Sequence, residues 1–503
     1  MSEFLGTIIT AEGSPSTSEF QFVIDKNAHP MKGQYVQVNE GEKIIFGYIS
    51  EIVRANRYFE RAESVAEYSK NTDISKHFPT ESWEYTNAMV KILGTHAKGK
   101  FQRSFSPPKP GSKVMNTQKN ILEPFLGFKE NGMFLGSIQH HDVPVRIDLT
   151  RMFQKHVAIL AMSGAGKSHL SSVLLEEILD RSKDTGRIAT VVIDIHGEYV
   201  GFAHDSRYGN NTKIINGKEI HVPLRKISPE VLSEWMPNIS SVQRELLRGA
   251  MTALRKEKTG EAYGLKELVA KVMDSPETKN EQAKLALKRA LQNLRGMRLI
   301  SKNKENPLLV SDVKPGRLLI VDLSEVDSHM KKQITVTMLA RKLFRLRKKG
   351  RIPPFLFLVE EAHNFASQAE TEQCISRSVI ETIAREGRKF GASLCLVSQR
   401  PVNLSTTALS QCNTHIILRV TNPNDLDHIQ MSSEGIDSHT AKSITGLQVG
   451  EAIIVGAAVN HPVFVSVRER KSEKREKGLP LEEQAKKFEE EIERKEKNVE
   501  AFL

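Results

Sequence analysis

Cysteine is scarce. Only Cys374, Cys395 and Cys412 occur among 503 residues. They form no CxxC pair and no metal-ligand spacing, and an odd number cannot close into a complete disulfide framework. Neither a disulfide scaffold nor a zinc module therefore organises the chain. All three stand among apolar or small residues, which predicts buried thiols in a reducing compartment. Long apolar runs are also missing: no stretch nears the ~20 residues that a bilayer span needs. The opening MSEFLGTIIT lacks the basic start and apolar run of a secretory signal. A cytoplasmic protein with no membrane partner is expected. Negative charge is in deficit as well, with 72 Lys plus Arg against 61 Asp plus Glu and a net charge of +11. A polyanionic partner fits that balance, because cations that neutralise phosphates release condensed counterions. Charge alone does not choose the partner.

What is present divides into blocks. At ~150 residues per domain the length predicts about three units. Short β-branched or aromatic runs separated by turn residues occupy Leu5–Thr10, Phe20–Asp25, Tyr35–Val38, Lys43–Ile52 and Tyr85–Leu93, the pattern of a small β-barrel. A polar segment, 58–82, interrupts them, and the proline-rich stretch 106–112 is a break. Two further strands, Phe134–Ile138 and Val143–Leu149, complete an expected N-terminal barrel and linker over 1–150. From Arg151 the pattern changes to apolar runs alternating with helical stretches: Val157–Ala161, Thr190–Ile195, Arg317–Leu323, Phe355–Val359, Ser393–Ser398, His415–Val420 and Glu451–Val455. Continuous Val, Ile and Leu runs are strands covered on both faces, so 151–228 and 310–470 read as an α/β unit with a largely parallel sheet. Between them, 229–309 reads as a helical insertion, with a capping box at Ser240 and Gln243 and a face of Leu246, Leu247, Ala250 and Leu254. The charged segment 471–503 carries Leu481, Ala485, Phe488 and Ile492 at helical spacing. It reads either as a solvated helix or as an arm docked on a neighbouring subunit.

The strongest chemical signal is the apolar run Val157–Ala161, followed by Met162, Ser163, Gly164, Ala165, Gly166, Lys167, Ser168 and His169, then a Leu/Ile-rich helix. Strand, glycine loop and helix are the context of a P-loop, the phosphate-binding turn of many ATPases. Gly164 and Gly166 let backbone N–H groups curl round a β-phosphate at a helix N-terminus. Residues Ser163 to His169 are thus the expected nucleotide cradle, with Lys167 on the β- and γ-phosphates and Ser168 on Mg2+. Ala161 stands where the pattern has its first glycine, at the end of the strand, where a small Cβ is tolerated.

Three predicted strands end in acid, at Asp194, Asp322 and Glu360-Glu361. Only the last offers adjacent carboxylates, so Glu360 is assigned to the metal and Glu361 to general-base work on the attacking water. Asp194 and Glu198 are expected near the metal, with Asp194 as a candidate ligand; a purely turn-forming role for them stays open. Gln399, at the tip of Ser393–Ser398, is a candidate γ-phosphate or water sensor. Arg385 and Arg388 form a basic patch before that strand. Either is a candidate to reach a neighbour's γ-phosphate, and a solvated helix end is the plainer alternative.

Together these residues resemble the archaeal HerA branch of the FtsK–HerA superfamily. The resemblance runs from about His156 to Val467. Its most specific pieces are Asp194-Ile-His-Gly-Glu-Tyr199, Glu360-Glu-Ala-His-Asn-Phe365, Ala384–Phe390 with Ser398-Gln-Arg-Pro401, and Gln411–His415 through Asn424. Ile195 departs from it, standing where the family usually has proline. The resemblance implies a RecA-like P-loop motor with an N-terminal barrel (HAS-barrel-like) and a helical insertion, assembled as a homohexamer. It implies ATP and Mg2+ as cofactors, double-stranded DNA threaded through the ring, and a NurA-type nuclease as partner in DNA end resection. It also implies a basic residue just before the P-loop strand, for which Arg151 is the candidate. Loops 207–213 and 366–377 are candidate pore loops because each follows an acidic strand end. A protein-secretion ATPase of the same superfamily and an ATP-assembled nuclease scaffold are the competing expectations.

Overall fold

The computed structural model describes residues 3–10, 15–56, 59, 84–276, 280–304, 310–369, 374–433, 435–473 and 481–500. Its first unit is built from β1 (Phe4–Ile9), β2 (Glu19–Ile24), β3 (Tyr35–Glu40), β4 (Lys43–Asn56), β5 (Glu84–Ala97), β6 (Lys100–Gln102) and β7 (Lys113–Asn116). Strands β2, β1, β7, β3, β4 and β5 pair in that order, and β2 pairs back onto β5, closing a six-stranded barrel with β6 added beside β5. Closure leaves those six strands without a free edge. Alternate side chains point inward, among them Phe20, Phe22, Val36, Val38, Ile49, Val90 and Val114. The long β4 bends through register shifts at Phe46/Gly47 and Ile49/Glu51. A Cβ at Gly47 would lie 2.6 Å from the Lys91 carbonyl oxygen, so glycine permits that approach.

The barrel does not stop at the proline-rich stretch. That stretch is a loop within it, tied where the Lys109 N–H donates to Glu40 at 2.6 Å, and β7 beyond it completes the ring. Four residues, Lys-Val-Met-Asn, hold too little alternation to be read as a strand. The polar segment expected over 58–82 lies outside the described residues apart from Phe59.

The second unit comprises β8 (Met133–Ile138), β9 (Pro144–Ile147), β10 (Val157–Leu160), β11 (Ala189–Asp194), β12 (Thr212–Asn216), β13 (Val222–Pro223), β14 (Ile300–Ser301), β15 (Leu318–Asp322), β16 (Phe355–Val359), β17 (Ala392–Ser398), β18 (Thr414–Ile417), β19 (Glu451–Gly456) and β20 (Val463–Val467). Eleven of them form one sheet, ordered β12-β15-β11-β16-β17-β10-β18-β19-β20-β8-β9. Pairing is parallel from β12 to β18 and antiparallel beyond. Every residue of β10, β11, β16 and β17 is buried, which is why those runs lack polar alternation. The expected boundary at 150 needs correcting: β8 pairs with β20, and β9 with β8, so both belong to this sheet and not to the barrel. Short alternating hairpin strands look alike in either sheet, and only the partner strand distinguishes them.

The helices Pro229–Glu234, Ser241–Glu257, Leu265–Met273 and Glu281–Gly296 form the insertion. The parallel pair β13–β14 closes its base. The Ser240–Gln243 capping box is formed, and Leu246, Leu247, Ala250 and Leu254 are buried. The barrel is seated on the large sheet by polar and aromatic contacts. The Tyr35 hydroxyl donates to the Pro462 carbonyl at 2.6 Å, and the Tyr35 N–H donates to His141 Nε2 at 2.9 Å. The Phe125 ring stacks on Phe46 at 4.6 Å and on His461 at 4.5 Å. Cys395 and Cys412 are buried free thiols, whereas Cys374 is only half-buried. The last helix, Leu481–Glu500, leaves Leu481 and Phe488 exposed. No helix among the described residues is long and apolar enough to cross a membrane.

Candidate nucleotide site

Strand β10 delivers the chain to Ala161 at the carboxyl edge of the sheet. The Ala161 N–H donates to the Ser398 carbonyl at 3.2 Å. Its backbone is not left-handed, so its Cβ carries no steric cost there. Gly164 (φ 80°) and Gly166 (φ 102°) are left-handed, the conformation glycine adopts without penalty. They turn the chain into the helix Lys167–Leu179. Ser163 and Gly164 are exposed and Ala165 is buried, so the loop presents its backbone outward at a helix N-terminus, a ready anion site.

Two polar contacts cross this loop. The Lys167 ammonium is ion-paired with Glu361, and the Ser168 hydroxyl donates to Glu198. Glu361 follows β16 with φ 46° and ψ 49°, a left-handed conformation that costs a non-glycine residue about 1–2 kcal/mol. The 3-10 turn Ala362–Asn364 begins there, closed by the Asn364 N–H donating to the Glu361 carbonyl at 2.8 Å. Glu360 lies fully buried beside it. One of its oxygens accepts the Ile195 N–H at 3.0 Å. Its Oε1, like Glu361 Oε2, is buried without a hydrogen-bond partner.

Burial first, and then the charges of Asp194 and Glu198, push Glu360 well above the ordinary carboxyl range. Asp194 is raised chiefly by burial, against the backbone N–H groups of Tyr199 and Glu198 that it accepts. Those bonds are 2.9 and 3.0 Å and use both of its oxygens. Asp194 thus folds the turn that carries Glu198, and Glu198 is the acid touching Ser168. A divalent cation fits this crowding of Asp194, Glu198 and Glu360, with an orphaned Glu360 oxygen and the Ser168 hydroxyl at hand. Among the described residues no group of three or more His, Cys, Asp and Glu is arranged to hold a metal by itself. Mg2+ needs no such cage, since it takes one or two carboxylates and fills its shell with water and phosphate oxygens.

The other sequence candidates fall in four places. Gln399 is half-buried at the tip of β17, one residue beyond Ser398, which pairs in register with Leu160 of β10. The His169 ring nitrogen Nε2 lies 2.8 Å from the Arg468 carbonyl, so this side chain is held by the C-terminal segment. Arg151, Arg385 and Arg388 are not brought to the glycine loop. The Arg151 guanidinium bonds the Ala457 carbonyl at 3.0 Å and Asn460 at 3.0 Å. Arg385 and Arg388 are exposed at the amino end of β17, about 20 Å of strand away from the tip. Segment 207–213 is not a free loop. Arg207 is ion-paired with Asp180, Lys213 with Asp312, and the chain enters edge strand β12. Residues 370–373 of the other proposed pore loop lie outside the described residues. His363, quoted in the Glu360–Phe365 motif without a role, has its Nδ1 3.1 Å from Ser398 Oγ and 3.4 Å from Glu361 Oε2. Its place two residues after the twin glutamates was the available signal.

Comparison with known proteins agrees with both units. Residues 133–343 match the family model described as Helicase HerA, central domain, and residues 8–95 match that of the HAS barrel domain. A Methanocaldococcus jannaschii protein described as a probable helicase is 29% identical over 464 residues, covering 87% of this chain and 86% of its own. The DNA double-strand break repair helicase HerA of Pyrococcus furiosus is 28% identical over 532 residues, covering 93% and 92%. Among solved structures, VirB4 of Thermoanaerobacter pseudethanolicus shares the fold with a TM-score of 0.54 at 15% identity, covering 68% of this chain and 98% of its own.

Proposed function

The chain belongs to the HerA family of P-loop ATPases, and from that premise we propose that it hydrolyses ATP to drive double-stranded DNA through a homohexameric ring. The observation that carries this reading is the meeting of Lys167 with Glu361 across the glycine loop, beside two buried carboxylate oxygens without partners. With ATP bound, Lys167 would exchange Glu361 for the β- and γ-phosphates, and the released carboxylate would take the proton of the attacking water. Glu360, Glu198 and Ser168 are the residues that would hold Mg2+, which supplies charge neutralisation to the phosphates. Gln399 would sense the γ-phosphate from the tip of β17. Arg385 and Arg388, remote from their own subunit's loop, suit a role in trans. The relatives' description as DNA double-strand break repair helicases supports DNA as substrate. A NurA-type nuclease is the partner proposed for end resection.

A secretion-type ring ATPase would hydrolyse ATP without regard to DNA, and a nuclease scaffold would recruit and support its partner without turnover. Glu361→Gln and Lys167→Ala separate these. Glu361→Gln is expected to bind ATP while duplex-stimulated turnover falls at least about 100-fold, and Lys167→Ala to lose binding as well. Persisting DNA-stimulated hydrolysis in Lys167→Ala would remove the site assignment. Full nuclease processing with Glu361→Gln would favour the scaffold.

A further inference from the structure

We propose that His363 is a positioning residue that holds the Glu361 carboxylate against the tip of β17, so that the base keeps its aim once Lys167 has moved to phosphate. The inference rests on Glu361 being the base. Its ground is the turn after β16. Because Glu361 is left-handed and opens the 3-10 turn Ala362–Asn364, the side chain two residues on is folded back beside it. His363 is largely enclosed, its side chain 12% exposed. A single ring nitrogen, Nδ1, faces Ser398 Oγ at 3.1 Å and Glu361 Oε2 at 3.4 Å.

Both neighbours are constrained. Ser398 is buried, and its Oγ accepts the Arg400 N–H at 3.1 Å, which fixes the hydroxyl at the root of the Gln399 tip. Glu361 Oε2 makes no hydrogen bond, while its Oε1 is held by Lys167. When the ammonium leaves, the carboxylate retains the imidazole as its adjoining donor, with the proton on Nδ1. A shift of a few tenths of an ångström brings 3.4 Å into hydrogen-bond range, and contacts of this kind commonly tighten only with substrate bound. His363 then ties the end of β16 to the end of β17: the carboxylate that would activate water to the strand tip that carries Gln399.

The test is steady-state ATPase kinetics of the full chain with duplex DNA, with thermal unfolding as a check on folding. His363→Ala is expected to lower kcat about tenfold or more with KM for ATP changed less than about twofold, the loss typical of removing a partner that orients a reacting group. His363→Asn, whose amide can occupy the Nδ1 position, is expected to restore most of that loss. Adding Ser398→Ala to His363→Ala should cost little more, since both act through one contact. Unchanged kcat in His363→Ala, or a loss that asparagine does not relieve, overturns the proposal. If His363→Ala does not fold, Ser398→Ala decides: kcat is expected to fall, and a wild-type value overturns. Glu361→Gln is measured alongside. If it retains turnover, the reading of the base fails; if it is inactive while His363→Ala is not, only this inference fails.

Discussion

His156 stands just before β10 and is 1% exposed. Its Nδ1 accepts the Leu394 N–H at 2.9 Å, so its proton resides on Nε2, 2.9 Å from the Ala384 carbonyl. One neutral ring thus joins the root of the glycine-loop strand to β17 and to the helix bearing Arg385. Burial pushes its pKa from 6.5 down to about 4. Between those values the unfolded chain binds a proton that the folded chain refuses, so stability falls as pH drops from 6.5 to 4. Each such histidine contributes at most about 1.4 kcal/mol per pH unit. His156→Gln, which cannot titrate, is expected to start less stable at pH 7 and to lose less on acidification. Denaturant unfolding at pH 7, 5.5 and 4.5 checks this, and parallel losses in the two proteins would contradict it. At this scale the sequence displayed what local pattern can encode: the glycines, Lys167, Ser168 and the twin glutamates. It hid what a turn decides. Nothing in Asp194-Ile-His-Gly-Glu announces that Asp194 spends its oxygens on backbone N–H groups while Glu198 reaches Ser168, and the left-handed Glu361 that brings in His363 has no composition cue.

Residues 468–473 strap the C-terminal segment onto the helix that starts at Lys167. Glu176, fully buried in that helix, accepts the N–H groups of Lys471 and Ser472, the Ser472 hydroxyl and an Arg468 N–H, all between 2.6 and 2.9 Å. Arg468 also pairs with Glu177 at 2.7 Å, and Lys471 with Asp180 at 2.8 Å. Burial alone would raise Glu176, but the hydrogen bonds from Ser472, Lys471 and Arg468 outweigh it and hold the carboxyl below its ordinary 4.5. A depressed folded pKa gives stability that is present above the unfolded value and lost as pH falls through the folded one. Glu176→Gln is therefore expected to cost about 1–3 kcal/mol at pH 7, with the gap to wild type closing below about pH 4.5. A gap that stays constant into acid would contradict the ionised clamp. Among elements, the parallel strands were legible because burial on both faces leaves unbroken apolar runs. The strands β7, β8, β9, β12 and β20 were missed or misassigned because each is short, at an edge or in a hairpin, and its identity lies in its partner.

The whole molecule joins a closed barrel to an ATPase sheet through Tyr35, His141, Phe125 and His461. The two units are therefore expected to move as one body. Its charge of +11 suits contacts to phosphate, which predicts DNA binding that is insensitive to sequence and weakens steeply with salt. Arg385 and Arg388 are exposed at the far end of β17 from their own glycine loop; with the role in trans proposed for them, turnover should depend on assembly. No pattern in a single sequence states ring size, because which surface residues meet a neighbour is decided by the fold and not by their order in the chain. The most direct measurement is the ATPase rate of the native particle with and without linear duplex DNA, its mass determined in the same buffer. A particle of hexamer mass is expected, its rate rising on adding duplex and falling away on dilution to monomers. A monomer that hydrolyses ATP at full rate, or a ring whose rate ignores duplex DNA, would contradict it.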